Sequence, residues 1–375
     1  MIEQKQTCVE CKACEYICPK NCISFSCKGM MQIDIGSCIK CGLCEKVCQN
    51  IELPSFSQPK RVFAAINLDD KSSENSSSGG IAQLLYSTII KGNGVVFGVK
   101  YDDNLQPHIE CTDTIAEVVH YLKSKYCFSN VGDSYKRCKD ICEDGRKVLF
   151  IGLPCQIAGL RKYLHREYDN LYLVDILCHG APHYSIFENH IKYVQKKRKR
   201  SVIDYQFRNK KYDSYGPYNY SITYQDREIE SGSALWDAYY SAFLKAEIFR
   251  EACYNCKFAR NERVSDVTIG DFWKANEEID GLKDKKYVSS ILINSNKGEV
   301  LFEKCKKNMQ IFESCMESLE KSTHAVTNPS KMPINVLHEE LKDFNYYCRW
   351  ASKYENSVGV FLRKVKNHFK CSLGN

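Results

Sequence analysis

Short apolar runs and helical stretches alternate along most of this chain. "RVFAAIN" (61–67) and "GVVFGVKY" (94–101) are compact apolar runs with polar or glycine borders, which predicts buried strands. Between them, "SSSGGIAQLLYSTIIKG" opens after Ser-Ser-Gly-Gly and closes at Gly92, which predicts a helix. "KVLFIG" predicts a strand that feeds a helix from about Gln156. "NLYLVDILCHG" reads as another buried strand with Cys178 at its end, and "SDVTIGDFW" and "YVSSILINS" are β-rich. This alternation argues for an α/β or α+β domain. From Leu301 the pattern becomes helical and polar. Near the N-terminus, Ile23 and Phe25 alternate before Lys28-Gly29, and Met31, Ile33 and Ile35 alternate after it, which predicts a hairpin. "ELPSFSQPK", with two prolines, reads as a linker. The expected organisation is therefore residues 1–55, 60–300 and 301–375.

Cysteine usage changes the picture most. The 375 residues include 22 cysteines, and ten of these fall between Cys8 and Cys48. The N-terminus has no apolar signal segment, and no stretch approaches the roughly 18 apolar residues of a membrane span. A cytoplasmic location is therefore expected, where thiols stay reduced and dense cysteines point to metal rather than disulfides. The net charge of +7 is compatible with an acidic partner and does not argue for nucleic acid.

The first segment repeats itself. Cys8, Cys11, Cys14 and Cys18 recur as Cys38, Cys41, Cys44 and Cys48. "CVECKACEYICP" has the spacing of a bacterial ferredoxin run, in which the fourth cysteine serves the other cluster. The expected ligands are Cys8, Cys11, Cys14 and Cys48 for one [4Fe-4S] cluster, and Cys18, Cys38, Cys41 and Cys44 for a second. Zinc sites use two CxxC pairs, not two such triplets each trailed by a lone cysteine. The second run has Gln49 where the first has proline, a change expected to loosen the local geometry. Cys22 and Cys27 are left over, and Cys22 is expected to be a buried thiol. Such clusters pass single electrons and bind no substrate, so the larger segment is expected to hold the chemistry.

In that segment Cys253 and Cys256 form a CxxC with no second pair nearby. Cys155 and Cys178 each end an apparent strand, and strand ends in α/β sheets converge on one crevice. These four thiols are therefore candidates for a third [4Fe-4S] cluster. Two other readings of Cys155 stand beside this one: a nucleophile with His179 as its base, or a simple buried thiol. Ser77, Ser78, Gly79 and Gly80 precede a helix, where backbone N–H groups suit a phosphate; an ordinary N-cap with a tight turn is the alternative. "KKRKR" (196–200) reads as a solvated helix end or as a docking patch for an acidic partner. Cys305, Cys315, Cys348 and Cys371 show no ligand pairing and are expected to pack or lie on the surface.

Taken in order, "SSGGIAQLL", "SKYCFSNVGDSYK", "GRKVLFIGLPCQIAGL", "VDILCHGAPH", "CYNCKFARNERVSDVTIGDFW" and "NPSKMP" resemble the coenzyme F420 hydrogenase/dehydrogenase beta-subunit family. The resemblance covers most of residues 60–335. It implies a flavoprotein that binds FAD and passes electrons between a hydride carrier and iron–sulfur clusters. Bacterial members with a ferredoxin fusion often accompany surface-polysaccharide genes. Lys125 and Tyr126 are implied beside the flavin or its phosphates. Asp266 and Asp271 are candidates to accept a cofactor hydroxyl, or Arg263 and Asp266 to form a structural ion pair. The fold class expected is an N-terminal dicluster ferredoxin-like domain, a mixed α/β flavin-binding domain and a helical C-terminal tail. The expected function is an iron–sulfur flavoprotein oxidoreductase that meets a one-electron redox partner protein and either a hydride-carrying coenzyme or a small organic substrate. The alternative is an electron-transfer subunit that serves a separate catalytic partner. A homo-oligomer is compatible with the sequence. No nucleic acid and no membrane span are expected.

Overall fold

A computed structural model describes residues 2–3, 7–26, 29–323, 326–329, 340–357 and 359–360. Cys27, Lys28, Cys371 and the last four residues of "NPSKMP" lie outside the described residues. The strands are β1 (Ile23–Phe25), β2 (Met31–Ile33), β3 (Arg61–Asn67), β4 (Val95–Tyr101), β5 (Pro107–Thr112), β6 (Val148–Gly152), β7 (Leu171–Ile176), β8 (Val202–Phe207), β9 (Asn219–Tyr224), β10 (Ile229–Ser233), β11 (Val267–Asp271), β12 (Ser289–Ile293) and β13 (Met309–Ser314).

Eight of these form one mixed sheet in the order β13-β3-β12-β11-β7-β6-β4-β5. Its centre is parallel: β4 pairs with β6, β6 with β7, and β7 with β11. The flanking pairs are antiparallel. Every residue of β6 and β12 is buried, so these runs lack the polar alternation of a one-sided sheet. Helices Ile81–Lys91 and Asn296–Cys305 cover one face through Leu84, Leu85, Leu301 and Phe302. The other face, including Phe97 and Phe150, packs on Ile157, Leu160 and Tyr135. A second core surrounds the three-stranded sheet β10-β9-β8. Helices Tyr184–Arg198 and Phe344–Glu355 share that core through Phe187, Tyr347 and Ala351.

The sequence repeat is also a repeat in backbone. Glu10 and Lys40 have φ 55° and 54°, and Lys12 and Gly42 have φ 57° and 75°. Between the two runs, β1 and β2 pair as the expected hairpin, with Ile23 opposite Ile33 and Phe25 opposite Met31. This segment has no core of its own. Val9, Cys11, Ala13, Cys14 and Val47 join the same cluster as Phe97, Phe150 and Leu160.

Three local expectations need correction. The second long helix starts at Pro154, not at Gln156. Gln156 Oε1 accepts the Leu153 N–H at 3.0 Å, which fixes the helix entry two residues earlier. A division after residue 300 falls inside the helix Asn296–Cys305, and β13 then pairs with residues 62–67 of β3, so the mostly helical C-terminal part also supplies a strand to the sheet. Gln49 does not loosen its surroundings. It is buried, and its Nε2 donates to the Cys155 carbonyl at 2.8 Å.

Phe150 is fully buried at the middle of β6, with its ring 5.1 Å from that of Phe97. Phe150→Ala is expected to cost about 3–5 kcal/mol, read as a lowered thermal unfolding midpoint.

Candidate functional site

The adjacent parallel strands set the site. In β6, Gly152 is opposite Asp175 of β7, and in β7, Ile176 is opposite Ile269 of β11. Cys155 follows Gly152 by three residues, Cys178 follows Ile176 by two, and Asp271 follows Ile269 by two. Three neighbouring carboxyl ends therefore deliver Cys155, Cys178 and Asp271 side by side, as expected of a crevice in an α/β sheet.

Cys155, Cys178, Cys253 and Cys256 line one cavity, with Arg250 and His179 beside them. Gly180 makes this approach possible. Its φ is 144°, and a Cβ there would sit 2.3 Å from the Phe249 ring. The bridge between Pro182 and Phe249 then brings the segment with Cys253 and Cys256 against the end of β7. Burial pushes the Cys155 thiol far up, and the nearby Cys256, Cys178 and Cys253 push the same way. Burial, with Cys253 and Cys256 acting the same way, pushes Cys178 up to about 12. Among the described residues, no three His, Cys, Asp or Glu side chains are grouped to hold a single ion. The donor set is instead the all-thiolate kind that suits a cluster, in which each iron takes its own sulfur.

Arg250 is the buried charge of this cavity, with 4% exposure. Its Nη1 donates to the Val9 carbonyl at 2.8 Å and lies 3.4 Å from Glu10 Oε1. Its Cζ lies 3.3 Å from the Phe128 ring centroid. Its Nε is buried without a hydrogen-bond partner among the described residues. Glu10 sits between Cys8 and Cys11 and also stands 3.6 Å from His183 Nε2. Sequence reasoning passed over both Arg250 and Glu10. Only the proximity of Arg250 to the CxxC could have flagged it.

Three cysteines of the first run come together with the last cysteine of the second. Cys8, Cys11, Cys14 and Cys48 are mutual electrostatic neighbours, and burial pushes the Cys8 thiol up to about 12. Cys22, left over in sequence, stands 3.3 Å from Cys18 and also beside Cys38. Cys41 is exposed and Cys44 half-buried. The first group touches the larger segment directly. A Cβ on Gly159 would lie 2.8 Å from the Cβ of Cys11, so a glycine there lets the helix that carries Cys155 reach the first run.

A second polar cluster forms around Asp271. Arg208 Nη1 donates to Asp271 Oδ2 at 2.5 Å, and the Arg208 guanidinium lies 4.5 Å from the Trp273 ring centroid. Lys210 Nζ donates to the carbonyls of Ser73 and Ser78, each at 2.6 Å, and stands over the Tyr287 ring. Burial lowers Lys210 to about 8, with Arg208 acting the same way. Ser77 Oγ accepts the Ser124 N–H at 2.9 Å, and Tyr126 neighbours both Arg208 and Asp271. The structure thus brings Ser77, Ser78, Tyr126 and Asp271 together. Arg208 and Lys210 complete the cluster, and sequence reasoning missed both, because a lone basic residue looks like surface.

Other expectations change. Gly79 presses against the sheet: its N–H donates to Ser289 Oγ, and a Cβ there would lie 2.5 Å from the Ala65 carbonyl oxygen. Gly80, at φ 81°, opens the helix Ile81–Lys91. Lys125 turns to the Leu122 carbonyl and the Tyr101 ring, not to the serine loop. Asp266, expected beside a cofactor hydroxyl, is committed to structure. Its Oδ2 accepts the Leu173 N–H at 2.9 Å and its Oδ1 accepts the Ser295 hydroxyl at 2.5 Å. Arg263 pairs with Asp175, not with Asp266. Lys196–Arg198 form the last turn of Tyr184–Arg198, where Lys197 and Arg198 meet Glu355 and Glu230. That matches a solvated helix end, with cations at the negative pole of the helix. Among the described residues no helix is long and apolar enough to cross a membrane.

Parts of this chain are similar to known proteins. Over 180 residues the chain is 23% identical to the coenzyme F420-dependent sulfite reductase of Methanocaldococcus jannaschii. The alignment takes in 47% of this chain and 28% of that enzyme, so the chain spans less than a third of the relative's length. A chain of the F420-reducing [NiFe] hydrogenase complex from Methanosarcina barkeri, solved as a xenon derivative, superposes with a TM-score of 0.49 at 15% identity. That superposition covers 76% of this chain and 94% of the other. Residues 145–318 match the family described as the C terminus of the coenzyme F420 hydrogenase/dehydrogenase beta subunit, and this stretch carries all four cavity cysteines together with Arg208, Lys210 and Asp271.

Proposed function

We propose that the chain is an iron–sulfur flavoprotein oxidoreductase. It passes electrons between a hydride carrier or small organic substrate, a bound FAD, and [4Fe-4S] clusters. The observation that carries this reading is the adjacency of two dissimilar sites: β7 ends at a thiol cavity, and its neighbour β11 ends at a polar cluster that contains Arg208 and Lys210. A bound flavin takes two electrons as hydride and releases them singly, which joins a hydride carrier to one-electron clusters.

In this reading Cys155, Cys178, Cys253 and Cys256 would hold one cluster. Cys8, Cys11, Cys14 and Cys48 would hold a second, and Cys18, Cys38, Cys41 and Cys44 a third. The unpartnered Nε of Arg250 supports an anionic occupant in the cavity. For the flavin, Ser77 and Ser78 would face the phosphates. Lys210 holds the Ser78 carbonyl, and so keeps the loop in one conformation. Tyr126, Tyr218 and Trp273 present aromatic surface beside Arg208. A one-electron partner protein would meet the N-terminal segment, where Ile35 and Ile39 are exposed close to Cys38 and Cys41 in sequence.

Protein prepared and reconstituted without oxygen is expected to hold about twelve irons per chain, three clusters of four, together with FAD. Replacing Cys155 and Cys253 by alanine is expected to lower the count to about eight. An unchanged count of about eight in both proteins, or no flavin after reconstitution, overturns the reading.

Lys210→Met removes the donor that ties Ser73 and Ser78. Bound flavin is expected to fall at least tenfold at fixed FAD concentration while the iron count stays level. Retention of full flavin would remove the serine loop from the cofactor site.

A further inference from the structure

We infer that Arg250 is a positioning residue shared by the four-cysteine cavity and the N-terminal cysteine loop, and that its guanidinium sets the reduction potential of the cavity cluster. The inference rests on the cluster reading above.

Arginine is an unusual residue to bury, because a charge taken out of water needs compensation. Arg250 is only 4% exposed. Its backbone N–H donates to the Ala181 carbonyl at 3.1 Å, which places it directly under the loop that follows Cys178. Its side chain is then fixed from the N-terminal side by the Val9 carbonyl and Glu10, and from another side by the Phe128 ring. A planar, permanently charged guanidinium can stack on a ring and donate in the plane at once; a lysine cannot.

Glu10 is the carboxylate at Arg250, 3.4 Å from its Nη1, and it also stands 3.6 Å from His183. Cys253, Cys155 and Cys178 all lie within electrostatic range of the guanidinium. As thiolate ligands they would add negative charge beside that cation. The buried Nε–H is a spare donor on a residue that lines the same cavity. Net charge and hydrogen bonds to sulfur are among the factors that set a cluster's potential. Each one-electron reduction adds one negative charge to the cavity. A fixed cation and a spare donor favour that state, so Arg250 holds the potential up. Because the same side chain grips Val9 and Glu10, it also fixes the loop of Cys8 and Cys11 against the cavity.

The test uses full-length protein reconstituted without oxygen. Irons are counted, and the reduced clusters are followed by electron paramagnetic resonance in a redox titration. Arg250→Gln is expected to keep about twelve irons while one midpoint moves to a lower potential. The reduced-to-oxidised ratio of that cluster at the wild-type midpoint is expected to drop about tenfold, which is about 59 mV for one electron. Arg250→Lys keeps the charge and is expected to shift less. Glu10→Gln removes the counter-charge and is expected to move the same midpoint upward, which keeps the test decisive if Arg250→Gln does not fold. Full iron in Arg250→Gln with unmoved midpoints, or a downward shift in Glu10→Gln, overturns the role of Arg250 and leaves the cluster reading standing. A wild-type count of about eight irons brings down the cluster reading and with it this inference.

Discussion

The centre of the sheet is pinned by a charge pair shut off from water. Asp175 of β7 lies 3.1 Å from Arg263, and their side chains are 0% and 1% exposed. The other oxygen of Asp175 accepts the Thr268 hydroxyl of β11 at 2.5 Å, and Arg263 Nε reaches the same hydroxyl. One carboxylate therefore joins β7, β11 and the loop that returns from Cys253 and Cys256. Asp175 precedes Cys178 by three residues, and Thr268 precedes Asp271 by three. Both candidate sites are thus held in register by the same buried group. A pair this deep adds little net stability, but loss of one member strands a charge in the interior. The site inherits its rigidity from that penalty.

Much of this framework was legible in the residues. β3, β4, β6, β7, β11 and β12 are apolar runs with glycine or polar borders, and the helix Ile81–Lys91 ends where Gly92 stops it. The cysteine spacing was legible because ligand sets leave a pattern along the chain. The three-stranded sheet was not, since its core is built from tyrosines such as Tyr205 and Tyr220 that alternate with polar residues. Arg208, Lys210 and Arg250 were illegible for a different reason. A basic residue reads as surface unless its partners are known, and the partners of Arg250 lie about 240 positions away. Asp266 and Asp175 look alike in sequence, each at one end of a strand-like run. Only their partners separate a loop clamp from an interior ion pair.

The N-terminal repeat is integrated with the rest of the chain. Gln49 bonds to the Cys155 carbonyl, Gly159 lets a helix touch Cys11, and Arg250 reaches back to Val9 and Glu10. These three links meet the first cysteine group and leave the side of Cys41 open. The first cysteine group is therefore packed against the larger segment, whereas Cys41 is exposed.

The last described strand has a consequence for how the protein behaves as a solute. β13 lies along β3, whose Val62, Phe63, Ala64 and Ala65 are all buried. A fragment ended at residue 300 would lose that cover. It would present an apolar strand with unpaired backbone groups, which is a template for pairing with a second molecule. Residues 309–314 therefore cover the apolar β3 and leave at the sheet edge a strand whose side chains are mostly half-buried or exposed.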